Sequence, residues 1–147
     1  MSSPYASIYK SIVRSVSDTV EALNSDGRFG LVSYHNFEER AKENEMPQHT
    51  LLGTDGFSFD ENGGLWLIRF ALAVSTFRDY NLLNEVDLVE FLHERFGEEK
   101  KIDLRDPTTG SVYSQLRVSQ FRVMPMGQSE YRNYRVIGLE LQRTSSS

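Results

Sequence analysis

The stretch from residue 111 to residue 143, SVYSQLRVSQFRVMPMGQSEYRNYRVIGLELQR, decides how this chain is read. It reads as two long strands joined by a short turn at Pro125, Met126 and Gly127. Its apolar residues alternate with arginines and other polar residues, not with a second apolar face. A sheet with that pattern has one side in a core and the other side wet, or pressed against another protein. Leu116 and Val118 share one phase of the alternation, while Phe121 and Val123 share the other. The change of phase near Ser119 predicts a bulge or a strong twist. In the closing strand Ile137, Leu139 and Leu141 face one way, and Val136, Gly138 and Glu140 the other.

Working back from there, LWLIRFALAVSTF at 65–77 is the most apolar run and is expected at the centre of the sheet. Arg69 interrupts it, at a wet rim or with a carboxylate partner. A strand at 56–60 precedes it, and Glu61-Asn62-Gly63-Gly64 has the chemistry of a tight hairpin. Arg28 to His35 reads as a short strand. The stretch from Phe37 to Gly53 is the longest irregular one, with Pro47 blocking regular continuation. A loop of that length in a small domain is functional or mobile.

Two helices complete the pattern. Over 4–24, Tyr5, Ile8, Tyr9, Ile12, Val13, Val16, Val20 and Leu23 form one stripe, with Ser3 as cap and Pro4 at the first position. Over 82–96, Leu82, Val86, Val89, Leu92 and Phe96 share a face, with Asn81 or Asn84 as cap. Gly97 stands where a left-handed terminal residue belongs. Residues 98–110 read as a charged connector ending in a turn. The expected architecture is α+β: a mostly antiparallel sheet of about five strands packed with two main helices. Residues 1–147 form a single domain in this reading, with a disordered tail at about 144–147.

The totals narrow the function. The 147 residues carry a net charge of −5, nine Phe, seven Tyr and no cysteine. Disulfides and thiolate metal sites are excluded, which suits a reducing cytoplasm. The acidic balance argues against a free-standing DNA-binding domain. No run is long enough for a membrane span, and the first residues lack the features of a signal peptide. His35, His49 and His93 lack companions at ligand spacing. Asp55, Asp60 and Glu61 do not match a calcium loop, and Gly53, Gly56, Gly63 and Gly64 do not form a phosphate cradle. No catalytic residue, metal ligand or cofactor is read.

The arginines of the final strands leave three readings open. Arg117, Arg122, Arg132, Arg135 and Arg143 interleave with Tyr113, Phe121, Tyr131 and Tyr134. They could line a surface for single-stranded nucleic acid. They could form a protein-docking face, where Arg and Tyr are enriched. They could also be a wet sheet face balanced by Glu130 and Glu140.

The order of elements resembles the lambda-type tail terminator proteins of long-tailed bacteriophages. The matching stretches are YASIYKSIVRSVSDTVEAL, LWLIRFALAVSTF, LLNEVDLVEFLHERF, VYSQLRVSQFRVM and YRNYRVIGLELQR. The resemblance implies a protein without catalytic activity that forms a ring, expected to be a hexamer, on the end of the tail tube. Such a ring stops tube polymerisation and presents a surface to the head or neck. The implied partners are further copies of the chain, the tail tube protein and a neck or head-completion protein, with DNA only passing through the channel. The implied location is the virion tail or neck, after synthesis in the host cytoplasm.

On that reading Arg117, Arg122, Tyr131, Arg132, Tyr134 and Arg135 are candidates for the subunit or tube interface. Phe37, Glu38, Arg40, Lys42, His49, Asp103 and Arg105 are candidates for loop contacts with neighbouring virion proteins. The final hairpin and the second helix are expected to make the ring contact. The alternatives are a neck or head-completion (connector) protein, and a nucleic-acid-binding module on the arginine-rich strands. A small hydrolase or metal enzyme with a dispersed site would instead need a deep polar pocket.

Overall fold

Trp66, Ile68, Phe70, Leu72 and Val74 alternate along Leu65–Phe77 and all are buried. That strict period of two seats one face of the run on a core. A computed structural model describes residues 5–36, 42, 45–47, 49–53, 57–77, 82–125 and 127–143. Its elements are α1 (Tyr5–Asp26), β1 (Val32–His35), β2 (His49–Gly53), β3 (Ser58–Asn62), β4 (Leu65–Phe77), α2 (Leu82–Phe96), β5 (Lys101–Arg105), β6 (Val112–Val123), β7 (Gly127–Gln128) and β8 (Arg132–Arg143).

The strands form one sheet in the order β1-β2-β4-β8-β6-β5, with β3 also pairing β4 and β7 also pairing β8. β1 and β2 run parallel, and the other pairings are antiparallel. This corrects the expected α+β domain with a mostly antiparallel sheet of about five strands. The described residues form an eight-stranded, curled, mixed sheet, a half-barrel, with two helices.

Three strands lie where none was expected. β2 falls inside the stretch taken as irregular, β5 inside the charged connector, and β7 at the expected turn. The turn itself moves to 129–131, where Ser129 N–H donates to the Arg132 carbonyl at 2.8 Å. Gly63 and Gly64, at φ 60° and 85°, supply the left-handed backbone of the β3–β4 hairpin. Gly97 is not left-handed; Glu99 is, at φ 72°. A Cβ on Gly97 would instead collide with the His93 carbonyl. The readings at Ser3, Pro4, Asn81, Asp55 and the tail 144–147 fall outside the described residues, as does the Asn84 side chain.

Both helices occupy the inner face of the curl. Ile8, Ile12, Val16 and Leu23 of α1 and Leu88, Leu92 and Phe96 of α2 join one core. Ile68, Phe70, Leu72, Leu116, Val118, Ile137, Leu139 and Leu141 complete it from the strands. α1 also ties down both edges of the sheet. Ser7 Oγ donates to the Arg105 carbonyl at 2.9 Å, and Arg105 N–H donates to Ser11 Oγ at 3.0 Å. At the far end, Asn24 Nδ2 donates to the Val32 carbonyl, and Val32 N–H donates to Asn24 Oδ1. The helix therefore stands in for the missing strands of a closed barrel. It satisfies backbone groups that would otherwise invite edge pairing.

Candidate assembly surface

The outer face of the sheet is defined by register. Arg69 pairs with Glu140 and Ala71 with Gly138 across β4 and β8. Gln120 pairs with Glu140 and Arg122 with Gly138 across β6 and β8. These side chains point away from both helices. The bulge at Ser119 makes this possible, because the register between β6 and β8 shifts between Val118 and Gln120. It keeps Leu116, Val118 and Phe121 on the inner face while Arg117 and Arg122 both face out. Ser119 Oγ fills the bulge by donating to the Glu140 carbonyl at 3.1 Å.

The centre of this face is a shallow hollow of about 300 Å³. Ala71 and Gly138 make its floor, and Arg69, Gln120, Arg122, Met124 and Glu140 its walls. Gly138 matters because a Cβ there would stand 3.0 Å from the Met124 methyl. Arg69 Nε meets Glu140 Oε2 at 3.2 Å, and Arg117 bridges Glu99 at 2.9 Å and Gln142 at 3.1 Å. Arg122 is an exposed cation of the face without a carboxylate partner among the described residues.

The expected interface residues do not share one surface. Arg117 and Arg122 are on the outer face, and Tyr131 is exposed at the tip of the β7–β8 turn. Arg132 is fully buried. Its guanidinium donates to Ser75 Oγ at 2.6 Å, to the Ser75 carbonyl at 3.1 Å and to the Pro47 and Met46 carbonyls at 2.8 and 3.4 Å. It also stacks on Phe77 at 4.7 Å. Arg132 is thus no docking group but a clamp that holds segment 45–47 of the β1–β2 crossover against the outer face. Tyr134 is half-buried beside it on the same face. Arg135 points inward, where Nε donates to Glu85 Oε1 of α2 at 2.7 Å. Arg143 also faces inward, over Trp66 at 4.4 Å.

The expected loop contacts are similarly divided. Phe37, Glu38 and Arg40 lie outside the described residues, and Lys42 is exposed. Asp103 and Arg105 sit with Ser11, Arg14, Asp18 and Lys101 in a polar cleft of about 140 Å³ between α1 and β5. Asp103 accepts from Gln115 Nε2 at 2.8 Å, and Arg105 donates to the Gly110 carbonyl at 3.0 Å.

His49 is buried against Phe29, and its ring pKa is lowered. Burial is the main cause, the Phe29 backbone opposes it and the Arg132 guanidinium reinforces it. As pH falls below about 6.5, the unfolded chain takes up a proton at His49 that the folded chain refuses. Stability should therefore drop from pH 6.5 downward until the lowered folded value is reached. Glu98 and Asp106, each held low chiefly by backbone hydrogen bonds, add their losses only in the carboxylate range. Urea unfolding from pH 7.5 to 5 tests this. His49→Leu should flatten that part of the profile, and an unchanged slope would refute the assignment.

Two features around this sheet were missed in the sequence. Glu85 stands at i relative to Leu88 and Leu92, on the buried stripe of α2, which marks it as a carboxylate needing an inward partner. Gly138, mid-strand among bulky residues, marks a place where another group lies close to the backbone. Among the described residues no group of three His, Asp or Glu side chains could hold a metal ion. No helix among them is long and apolar enough to cross a membrane. A comparison with protein-family models finds no match for the chain, and a comparison with curated proteins finds none either.

Proposed function

We propose that this chain is a structural virion protein of the tail-terminator kind, whose copies close into a ring on the end of a tail tube. The ring ends polymerisation of the tube protein and offers a surface to the neck. The observation that carries the reading is the open outer face of β4, β8 and β6. Both helices lie on the inner side, so a broad part of a central sheet is left for another protein. A ring forms when one patch binds a different patch on an identical neighbour and the rotation closes. The same architecture suits a neck or head-completion protein, and the partner met on the virion separates the two.

The nucleic-acid reading draws less support. It needs a continuous basic stripe, yet Arg132, Arg135 and Arg143 face away from the outer surface or are buried in it. The cations that remain alternate with Glu140 and Glu99.

Sedimentation of the pure chain, with and without polymerising tube protein, tests the proposal. The expected species has a mass near six times 16.9 kDa, alone or at tube ends. Tubes should stop growing once capped. A protein that stays monomeric and leaves tube length unchanged would refute it.

A further inference from the structure

Three places could take a partner: the polar cleft between α1 and β5, the aromatic end around Tyr5, Tyr9 and Phe57, and the outer-face hollow. The cleft carries three cations, Arg14, Lys101 and Arg105, beside Asp18 and Asp103, but its lining is polar throughout and offers no apolar floor for a partner to bury against. The aromatic end has no feature that selects its occupant. The hollow has one.

We infer that the outer-face hollow of one copy receives the exposed ridge of α2 from the next copy. The inference rests on the ring reading above and names its seam. α2 buries Glu85, Leu88, Leu92 and Phe96, so the helical period turns Val86, Asp87, Glu90 and Glu94 to solvent. Val86 is 46 % exposed. Asp87, Glu90 and Glu94 make no ion pair among the described residues. The hollow presents the reverse: an apolar floor of Ala71 and Gly138, the Met124 methyl, and the exposed Arg122.

Dimensions agree. From Val86 to Glu94 the ridge runs about 12 Å along the helix. Arg69 and Arg122 sit two strands and two residues apart on the sheet, also about 12 Å. The ridge and the hollow are different patches on one chain. The ridge leaves the inner layer and the hollow lies on the outer one, so the two cannot meet within a single molecule. Their pairing is head-to-tail, the kind that propagates around a ring.

A charge-swap series on the full chain tests the seam. Arg122→Glu and Glu90→Arg should each weaken assembly, as read by sedimentation and tube capping, by more than about tenfold. The double variant Arg122→Glu/Glu90→Arg should recover most of it. Gly138→Leu, which fills the hollow and needs only the flexible Met124 end to shift, should weaken assembly without altering charge. Circular dichroism melts should match the parent for all four, because none of these side chains is buried. If the parent assembles and Arg122→Glu and Gly138→Leu assemble equally well, the seam is overturned while the ring reading stands. If the parent neither assembles nor caps tubes, both fall. If Arg122→Glu instead abolishes binding to a single-stranded oligonucleotide that the parent binds without assembling, the seam is overturned in favour of nucleic acid.

Discussion

Arg132→Met is expected to cost about 3–5 kcal/mol of folding stability, because several acceptors around the buried guanidinium lose their donor at once. The guanidinium is 0 % exposed and satisfies carbonyls of Met46, Pro47 and Ser75 together with Ser75 Oγ. Methionine fills the volume but donates nothing, so each of these buried acceptors loses a partner. An unmet buried acceptor costs about 1–3 kcal/mol, and local relaxation recovers part of the sum. Arg132→Lys keeps the charge but not the planar fork, and should fall between the two.

The damage should be local first. Thr50, in β2, donates to the Pro47 carbonyl at 3.3 Å, and Ser33, in β1, donates to Thr50. Arg132 therefore connects through Pro47 to Thr50 of β2 and Ser33 of β1, in addition to the pairing of β2 with β4 and the Asn24 bonds to Val32. Limited trypsin digestion should cut at Lys42 faster in Arg132→Met than in the parent, before global unfolding. An unchanged urea midpoint together with unchanged cleavage at Lys42 would show that the clamp carries no load.

The division of the arginines shows what the sequence offers and what it withholds. Period two alone separates Arg132 from Arg135, since three residues apart in a strand means opposite faces. The same rule would separate Arg117 from Arg122, five apart, yet both face outward because the bulge at Ser119 adds one residue between them. The phase break of the apolar residues announced that bulge. Applying it to the arginines as well would have sorted the face. The helices were legible as elements because their stripes are long, but the face of α2 was misplaced: Val86, read on the apolar stripe, is exposed, and Leu88 joins Leu92 and Phe96 in the core instead.

The missed strands have distinct causes. β5, KIDLR, alternates cleanly, with Ile102 and Leu104 buried, but its three charged residues resemble a solvated connector. β2 shows no alternation because both of its faces are covered: Thr50 and Leu51 are each 0 % exposed. Its parallel pairing with β1 joins residues 17 positions apart, such as Val32 and His49. A hairpin-dominated reading has no signal for such a connection. Arg132 looked like a surface residue because arginine is rarely fully buried. Its acceptors come from segments 57 and 85–86 positions away, which no local pattern reveals.

Glu85 and Arg135 form the second expected large effect. Glu85 is 2 % exposed at the first turn of α2, and Arg135 lies on the inner face of β8, opposite Val74. Glu85→Ala leaves the Arg135 cation inside without this acceptor, at a cost of about 3–5 kcal/mol. Arg135→Met strands the carboxylate in the same way. The double variant Glu85→Leu/Arg135→Met replaces both charges with apolar volume, which is often neutral or better. Urea midpoints should show the double losing far less than the two singles together, a coupling of at least about 2 kcal/mol. Additive losses below about 1 kcal/mol each would mean that water reaches the pair.

The pair also fixes how α2 enters the inner layer, because α2 runs from this bridge to the ring contact of His93 with Phe121 at 4.9 Å. Val86 and Asp87 directly follow Glu85. Loosening the bridge therefore moves the ridge proposed to meet the neighbouring copy. At temperatures where Glu85→Ala remains folded, its assembly should be weaker than that of the Glu85→Leu/Arg135→Met double, which keeps α2 seated. Equal assembly by the two would separate the bridge, as a purely stabilising contact, from the seam.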